Sequence, residues 1–506
     1  MDKEAHKIMN VFLMHPDRDF DLQQEPPWNV QALARDLELD TLLDAMAGGD
    51  EFVFAVVRKA ILSGLREPAT IRYRQDVLRD CLTNPGVVRS IYALAGEAIK
   101  RERENYWGIF TSYPDTILHR SMDVMQLFLD MLGKLRNTAA EAVPAFDSAG
   151  FRRFFGMLGK ELSEEYFSDI RVHLKELAFP DGVRISAELG KGSKGSRYAL
   201  RKPPAKKRRW VERILAKDSP SYVFYVPDRD ESGAKALSDL KNRGLNLAAN
   251  ALAQSNDHIL GFFNMLRTEL AFYIGCLNLR ERLEGKGMGV CFPDFEPSCR
   301  RRHSFAGLYD ACLALRLDRG VVGNRAEADG KDLVLITGAN QGGKSTFLRS
   351  IGLAQLMLQC GLFVAAEAFC ANLCEGLFTH YRREEDDTMT SGKLDEELGR
   401  MSEIVDHLSP GSMLLLNESF AATNEREGSE IARQIVVALL EKQVKIFFVT
   451  HLYDFAHAYY LKGMEDVVFL RAERRSDGER SFRITEGEPL ETSFGEDLYY
   501  RIFEEG

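Results

Sequence analysis

The chain has 506 residues, of which 45% are hydrophobic and 28% charged, with a formal net charge of −10. This length excludes a single ordinary core and points to two to four domains, and the composition excludes a disordered chain. The acidic balance argues against a surface that binds nucleic acid indiscriminately, while leaving room for a local basic patch.

No apolar run is long enough to span a bilayer, and the opening Met1-Asp2-Lys3-Glu4 lacks the apolar stretch of a signal peptide. A cytoplasmic protein with no membrane partner is therefore expected. Eight cysteines are scattered with no C-x-x-C spacing, which predicts reduced structural thiols and no zinc or iron–sulfur centre.

Residues 1–180 read as a helical region. Leu33, Leu37, Leu42, Leu43 and Met46 recur at helical spacing until Gly48-Gly49. Further helices are expected over Phe52–Ser63, Arg74–Leu82, Ser121–Leu135 and Phe151–Leu177. The texture changes at Phe179-Pro180-Asp181-Gly182, where a small insertion, 181–232, carries the β-like runs Val183–Leu189, Arg197–Leu200 and Tyr222–Val226. It also holds a basic run that includes Lys206, Lys207, Arg208 and Arg209, with Trp210, Tyr198 and Tyr222 interleaved. Such a run is compatible with a solvated loop or with sequence-independent contacts to DNA phosphates.

Helix resumes over 233–284. Ile259, Leu260, Phe263, Leu266, Leu270, Tyr273, Ile274 and Leu277 form one apolar stripe there, as on a rigid arm packed along one side. Gly, Pro and charge between Gly285 and Arg302 suggest a linker within an approach segment, 285–320. From 321 to 506 the pattern is α/β, with strands expected at Leu333–Thr337, Met413–Leu416, Ile446–Thr450 and Val467–Leu470.

The first of these strands runs into Gly338, Ala339, Asn340, Gln341, Gly342, Gly343, Lys344, Ser345 and Thr346, which satisfies G-x-x-x-x-G-K-[ST] and is followed by a helical pattern. Glycines allow backbone N–H groups to turn inward around an anion, and the helix N-terminus adds positive potential. Lys344 would supply a point charge to the β- and γ-phosphates of ATP, and the Ser345 hydroxyl a ligand for Mg²⁺. Val321, Val322 and Asn324 are positional candidates for the adenine pocket.

The segment Ile336–Thr346 resembles the phosphate loop of the MutS family, ITGPN-x-GGKST. Asp386-Asp387 with Ser391-Gly392 is similar to that family's DD…SG loop, and Leu414-Leu415-Leu416-Asn417-Glu418 to its Walker B strand. Thr423, Gly428 and the Val449-Thr450-His451 strand end follow in the same order, and Arg74-Gln75 is a weaker upstream anchor. The resemblance implies a multidomain protein: a mainly α-helical core and lever region, a small mixed α/β or β insertion, and a C-terminal α/β P-loop ATPase domain of ABC type. No segment resembles the mismatch-recognition domain.

By the same resemblance, Glu418 orients the attacking water, His451 senses the γ-phosphate or that water, and Lys344 completes the catalytic set. Ser345 and Asn417 hold the metal, and Ser391 is a trans contact to a partner's ATP in a homodimer formed through the ATPase domains. The family's Walker B ends in Asp-Glu, whereas this chain has Asn417-Glu418, a neutral acceptor in place of a charged one, which implies weaker metal binding and slower turnover. The expected function is ATP hydrolysis that drives conformational change in a DNA-associated repair or recombination protein. The alternative is a nucleotide-gated scaffold with little hydrolysis and no direct DNA binding.

Overall fold

A computed structural model of the chain describes residues 9–106, 113–180, 182–193, 195–201, 223, 225–227, 229–297, 301–383, 392–474 and 480–490. In chain order the helices begin with α1 (Val30–Asp36), α2 (Leu39–Ala47), α3 (Glu51–Leu62), α4 (Pro68–Thr83), α5 (Pro85–Tyr106), α6 (Pro114–Ala142), α7 (Ala149–Glu161) and α8 (Glu164–Leu177). Strands β1 (Ile185–Leu189) and β2 (Gly195–Leu200) precede the long α9 (Glu231–Glu284). Then come β3 (Asp294–Glu296), β4 (His303–Leu308), α10 (Ala311–Arg316), β5 (Asn324–Glu327), β6 (Leu333–Thr337) and α11 (Lys344–Gln359). The order continues through β7 (Ala368–Asn372), β8 (Leu377–Tyr381), α12 (Lys393–His407), β9 (Met413–Asn417), α13 (Glu425–Glu441) and β10 (Lys445–Val449). It closes with α14 (Tyr453–Lys462), β11 (Val467–Arg474) and β12 (Arg480–Glu486).

Two compact units result: Met1–Val11 with Gly86–Phe146 and Phe151–Arg267, and Phe12–Pro85 with Asp147–Gly150 and Thr268–Gly506. The first is helical. Its core stacks Phe128 on Phe263 at 5.9 Å and Phe154 on Phe262 at 6.5 Å. The Asn256 amide N–H donates to the Ser121 carbonyl at 2.8 Å, which ties α6 to α9. Strands β1 and β2, at the β-like runs Val183–Leu189 and Arg197–Leu200, pair antiparallel. Tyr222 and Phe224 lie outside the described residues, as do Lys206, Lys207, Arg208, Arg209 and Trp210.

The second unit is built on a six-stranded sheet of order β12-β11-β6-β10-β9-β8. Neighbours from β11 to β8 are parallel, and β12 runs antiparallel to β11 at one edge. The central strands are near-continuous apolar runs because both of their faces are covered. Leu333, Leu335, Leu414, Leu416, Ile446 and Phe448 pack with α12, α13 and α14 on one face. Leu415, one residue out of phase, points the other way, and α11 approaches it at Gly352, where a Cβ would stand 2.7 Å from Leu415 Cδ1. A second sheet has the order β3-β7-β4-β5. The stretch read as a linker therefore contributes a strand, β3, parallel to β7, and Cys291 bridges to Val364. Three residues of pairing with a distant strand leave no local periodicity to read.

Residues 12–20 of this unit lie along α4 and the C-terminal half of α9. Glu269, with no exposed surface, accepts from the N–H groups of Leu13 at 2.5 Å, Met14 at 3.2 Å and Phe20 at 2.7 Å. The Tyr273 hydroxyl donates to the Leu13 carbonyl at 2.6 Å, and the Tyr73 hydroxyl to that of Phe12 at 2.5 Å. Arg74, fully buried, donates to the carbonyls of Met14 at 3.1 Å and Cys360 at 3.0 Å, and meets His15 Nε2 at 3.0 Å.

Burial, reinforced by the nearby Asp19 charge and opposed by the three N–H donors, pushes the Glu269 carboxyl from 4.5 up to about 8. Between those values the folded chain keeps a proton that the unfolded chain has released. The stability tied to Glu269 is thus fully present below 4.5 and lost as pH rises through about 8. His15, pushed from 6.5 down to about 3 by burial and then by Arg74, acts in the opposite sense, losing its contribution as pH falls below 6.5. Urea midpoints followed from pH 6.5 to 8 should therefore fall more steeply for wild type than for Glu269→Gln, which has no proton to lose. Parallel slopes would show that the carboxyl is not shifted.

Candidate nucleotide site

The site lies at the C-terminal ends of β6, β9 and β10, where open parallel sheets present ligands to loops and helix N-termini. Thr450 N donates to the Ile336 carbonyl at 3.0 Å and Glu418 N to the Val449 carbonyl at 2.8 Å, so the ends of the three strands are tied together. Gly343 precedes α11 with a φ of 88°, a left-handed conformation that suits glycine and turns the chain into the helix. Lys344, 4% exposed, folds back so that Nζ donates to the carbonyls of Gly338 at 2.8 Å and Ala339 at 2.9 Å. Burial pushes its ammonium down to about 8, with the Glu418 charge opposing.

Ser345 Oγ donates to Asn417 Oδ1 at 3.0 Å, which brings together two of the residues selected from the sequence. Glu418 follows Asn417 in a left-handed backbone conformation, with φ 54°. His451 Nε2 donates to Glu418 Oε1 at 2.9 Å. That hydrogen bond is the largest influence holding the Glu418 carboxyl below its ordinary range; the charges of His451, Lys344 and Arg382 add to it, and burial opposes. The loop behind Glu418 is fixed by Ser419, whose Oγ donates to the His380 carbonyl at 2.8 Å and meets His380 Nδ1 at 2.7 Å. Burial and then Arg400 push His380 down to about 4, keeping the ring neutral there.

Lys344, Ser345, Asn417, Glu418 and His451 thus converge. Ser391 and the Asp386-Asp387 pair lie outside the described residues, as does the basic run 206–209. Asn324 is 8% exposed and accepts from Ile484 N at 2.7 Å, while Val322 is 39% exposed. Two arginines went unnoticed in the sequence. Arg382 lies 3.8 Å from Glu418 Oε2 and lines a small recess with Arg383, Lys393, Glu397 and Arg400. Arg480 donates to the side chain of Gln341 in the glycine-rich loop. The only signal for Arg382 was a pair of arginines just before the acidic loop; Arg480 left none, since pairing of β12 with β11 places it.

These features define an α/β unit with a glycine-rich loop and a helix N-terminus at the C-terminal ends of a mainly parallel sheet. The MutS2 N-terminal domain model matches residues 66–286, and the MutS domain V model matches residues 334–495. The chain belongs to the MutS family. It is 32% identical over 181 residues to the DNA mismatch repair protein MutS of Desulforamulus reducens, covering 33% of this chain and 21% of that protein. It is 34% identical over 120 residues to the endonuclease MutS2 of Thermus thermophilus, covering 24% and 16%. Against the human MutS protein homolog 4 it is 29% identical over 140 residues, covering 28% and 15%. The matched segments span about a fifth or less of those relatives' length. No helix among the described residues is long and apolar enough to cross a membrane.

Gly428 in α13 packs so closely that a Cβ there would stand 2.5 Å from the Phe420 carbonyl oxygen. Gly428→Ala should therefore displace the loop that carries Glu418 and lower stability by about 1–3 kcal/mol. An unchanged melting temperature would show that this contact does not hold the loop.

Proposed function

We propose that this protein binds ATP with Mg²⁺ and hydrolyses it, using the cycle to drive conformational change in a DNA-associated repair or recombination protein. The reading is carried by the convergence of Lys344, Ser345, Asn417, Glu418 and His451 at one sheet edge. Residues 321–506 then form the ATPase domain, with 1–180 and 233–284 as core and lever, 285–320 as the approach and 181–232 as a small insertion.

The loop from Gly338 to Thr346 would receive the triphosphate on its N–H groups and on the end of α11. Lys344 exchanges two backbone carbonyls for phosphate oxygens, and burial strengthens that attraction. Ser345 and Asn417 fit a magnesium site, because their two oxygen donors meet at 3.0 Å, the hard-oxygen type that magnesium takes. Bound magnesium would neutralise charge across the β- and γ-phosphates. Glu418 accepts from His451 and is kept ionised, which suits a group that must orient water and take its proton.

One observation favours a second reading, a nucleotide-gated switch that scarcely turns over. Asn417 stands where the family has an aspartate, so metal affinity is expected to be lower. DNA association rests on the relatives' names and on the basic run at Lys206, Lys207, Arg208 and Arg209. Dimerisation through the ATPase domains, with Ser391 reaching the partner's nucleotide, rests on family likeness.

Lys344→Ala should abolish binding of a fluorescent ATP analogue in magnesium; retained affinity would sink the site. In steady-state phosphate release, Glu418→Gln should fall at least roughly 100-fold below wild type. Turnover absent from both would leave the switch. Binding to duplex, branched and single-stranded DNA should change with ATP on at least one substrate. The same affinity on all three with and without ATP would remove the repair reading while leaving the ATPase intact.

A further inference from the structure

Arg382 is the first residue beyond β8, and the backbone fixes where its side chain starts. Tyr381 pairs with Asn417 across β8 and β9, and Arg382 N donates to the Asn417 carbonyl at 2.9 Å. Strand β8 lies on the side of β9 away from β6, so the arginine approaches Glu418 from opposite the glycine-rich loop. Its guanidinium is 3.8 Å from Glu418 Oε2, while His451 occupies Oε1 at 2.9 Å. The longer distance is an ion pair without a hydrogen bond, and the arginine is half-exposed. A pair of that kind does little for the stability of the fold. Arg383, Lys393 and Arg400 line the same recess, so like charge crowds the guanidinium, offset in part by Glu396 and Glu397.

The loop side supplies one charged donor, Lys344, beside the neutral Ser345 and Asn417. In hydrolysis a water oxygen bonds to the γ-phosphorus and the bond to the β–γ bridging oxygen breaks. ADP leaves with the electron pair, and the water's proton passes to Glu418. Charge spreads over the three equatorial phosphoryl oxygens as this happens. A water held by Glu418 at roughly 2.6–3.2 Å, and poised roughly 3–3.5 Å from phosphorus, puts those oxygens close to the carboxylate. Arg382 already stands beside that carboxylate.

We propose that Arg382 is a catalytic residue whose guanidinium swings from Glu418 Oε2 onto the transferring phosphoryl group. The charge that neutralises the reacting phosphate is then supplied from within the same chain, by the end of β8. This deepens the ATPase reading and rests on it. A planar fork of donors suits two phosphoryl oxygens at once, which a lysine at the same place would not match.

The test uses the full chain with fluorescent ADP and magnesium, with and without aluminium fluoride, which imitates the phosphoryl group in transfer. Aluminium fluoride should slow ADP release from wild type at least roughly ten-fold. Arg382→Ala should lose that slowing while its affinity for ADP alone stays within about two-fold of wild type. Glu418→Gln should keep part of the slowing, because the fluoride complex needs charge neutralised but no proton removed. In phosphate release, Arg382→Ala should lower kcat on the order of 1000-fold with KM within about three-fold, and Arg382→Lys should recover only part. Slowing that is absent from wild type, or that survives in Arg382→Ala, would overturn the proposal. So would an equal loss of ADP affinity in Arg382→Ala. Slowing lost equally in Glu418→Gln would also overturn it, leaving Arg382 as a residue that only positions Glu418. If wild type bound no ADP, the nucleotide reading itself would fall.

Discussion

Helix α11 is held at its two ends by different chemistry, and most of the second unit follows from that constraint. Its N-terminus is the glycine-rich loop, where Lys344 closes onto backbone carbonyls. At its C-terminus Arg74 binds the Cys360 carbonyl, and the Gln359 side chain donates to the carbonyls of Leu65 at 3.2 Å and Cys374 at 2.9 Å. Sixteen helical residues make a rod roughly 24 Å long that joins these two ends. The same guanidinium holds Met14, and Met14 N donates to Glu269 of α9, so the C-terminal end of α11, α4 and the base of α9 share one buried polar network. With no water to compensate, breaking any member leaves a buried charge or donor exposed to apolar surroundings.

At the other end of α11, Glu418 is the carboxylate beside Lys344 and Arg382. Glu418 faces His451, lies near Arg382 and feels Lys344, and these together outweigh the burial that would raise its carboxyl. Asn417 beside it is neutral and accepts from Ser345. Only Glu418 carries charge, so it does not compete with a second carboxylate for the same cations.

What was legible in the sequence was what is local. The apolar run Leu333–Thr337, the glycines around Lys344 and the spacing to Glu418 and His451 lie within short windows, and each fell on the expected strand end or helix start. The strand β3, read as linker, and the arginines Arg382 and Arg480 were not legible, because each takes its meaning from a segment distant in the chain. Arg74 is an intermediate case. With Gln75 it was a weak anchor of the family resemblance, but its complete burial and its bond to Cys360, 286 residues away, are facts of packing.

The distribution of backbone strain joins these observations. Among the described non-glycine residues with left-handed backbone, Gln341, Glu418, Phe420 and Phe482 all belong to this one site. Such conformations persist only where surrounding contacts over-determine them. Glu418 is held by the Val449 carbonyl, Phe420 by its close packing on Gly428, and Gln341 and Phe482 by the bonds that run from Arg480 and Ile484. The four residues come from three segments of sequence, so no local propensity asks for them. Their strain is sustained by the sheet that gathers those segments, which is why the site's geometry depends on the hairpin at the sheet edge as much as on the loop that carries the recognisable motif.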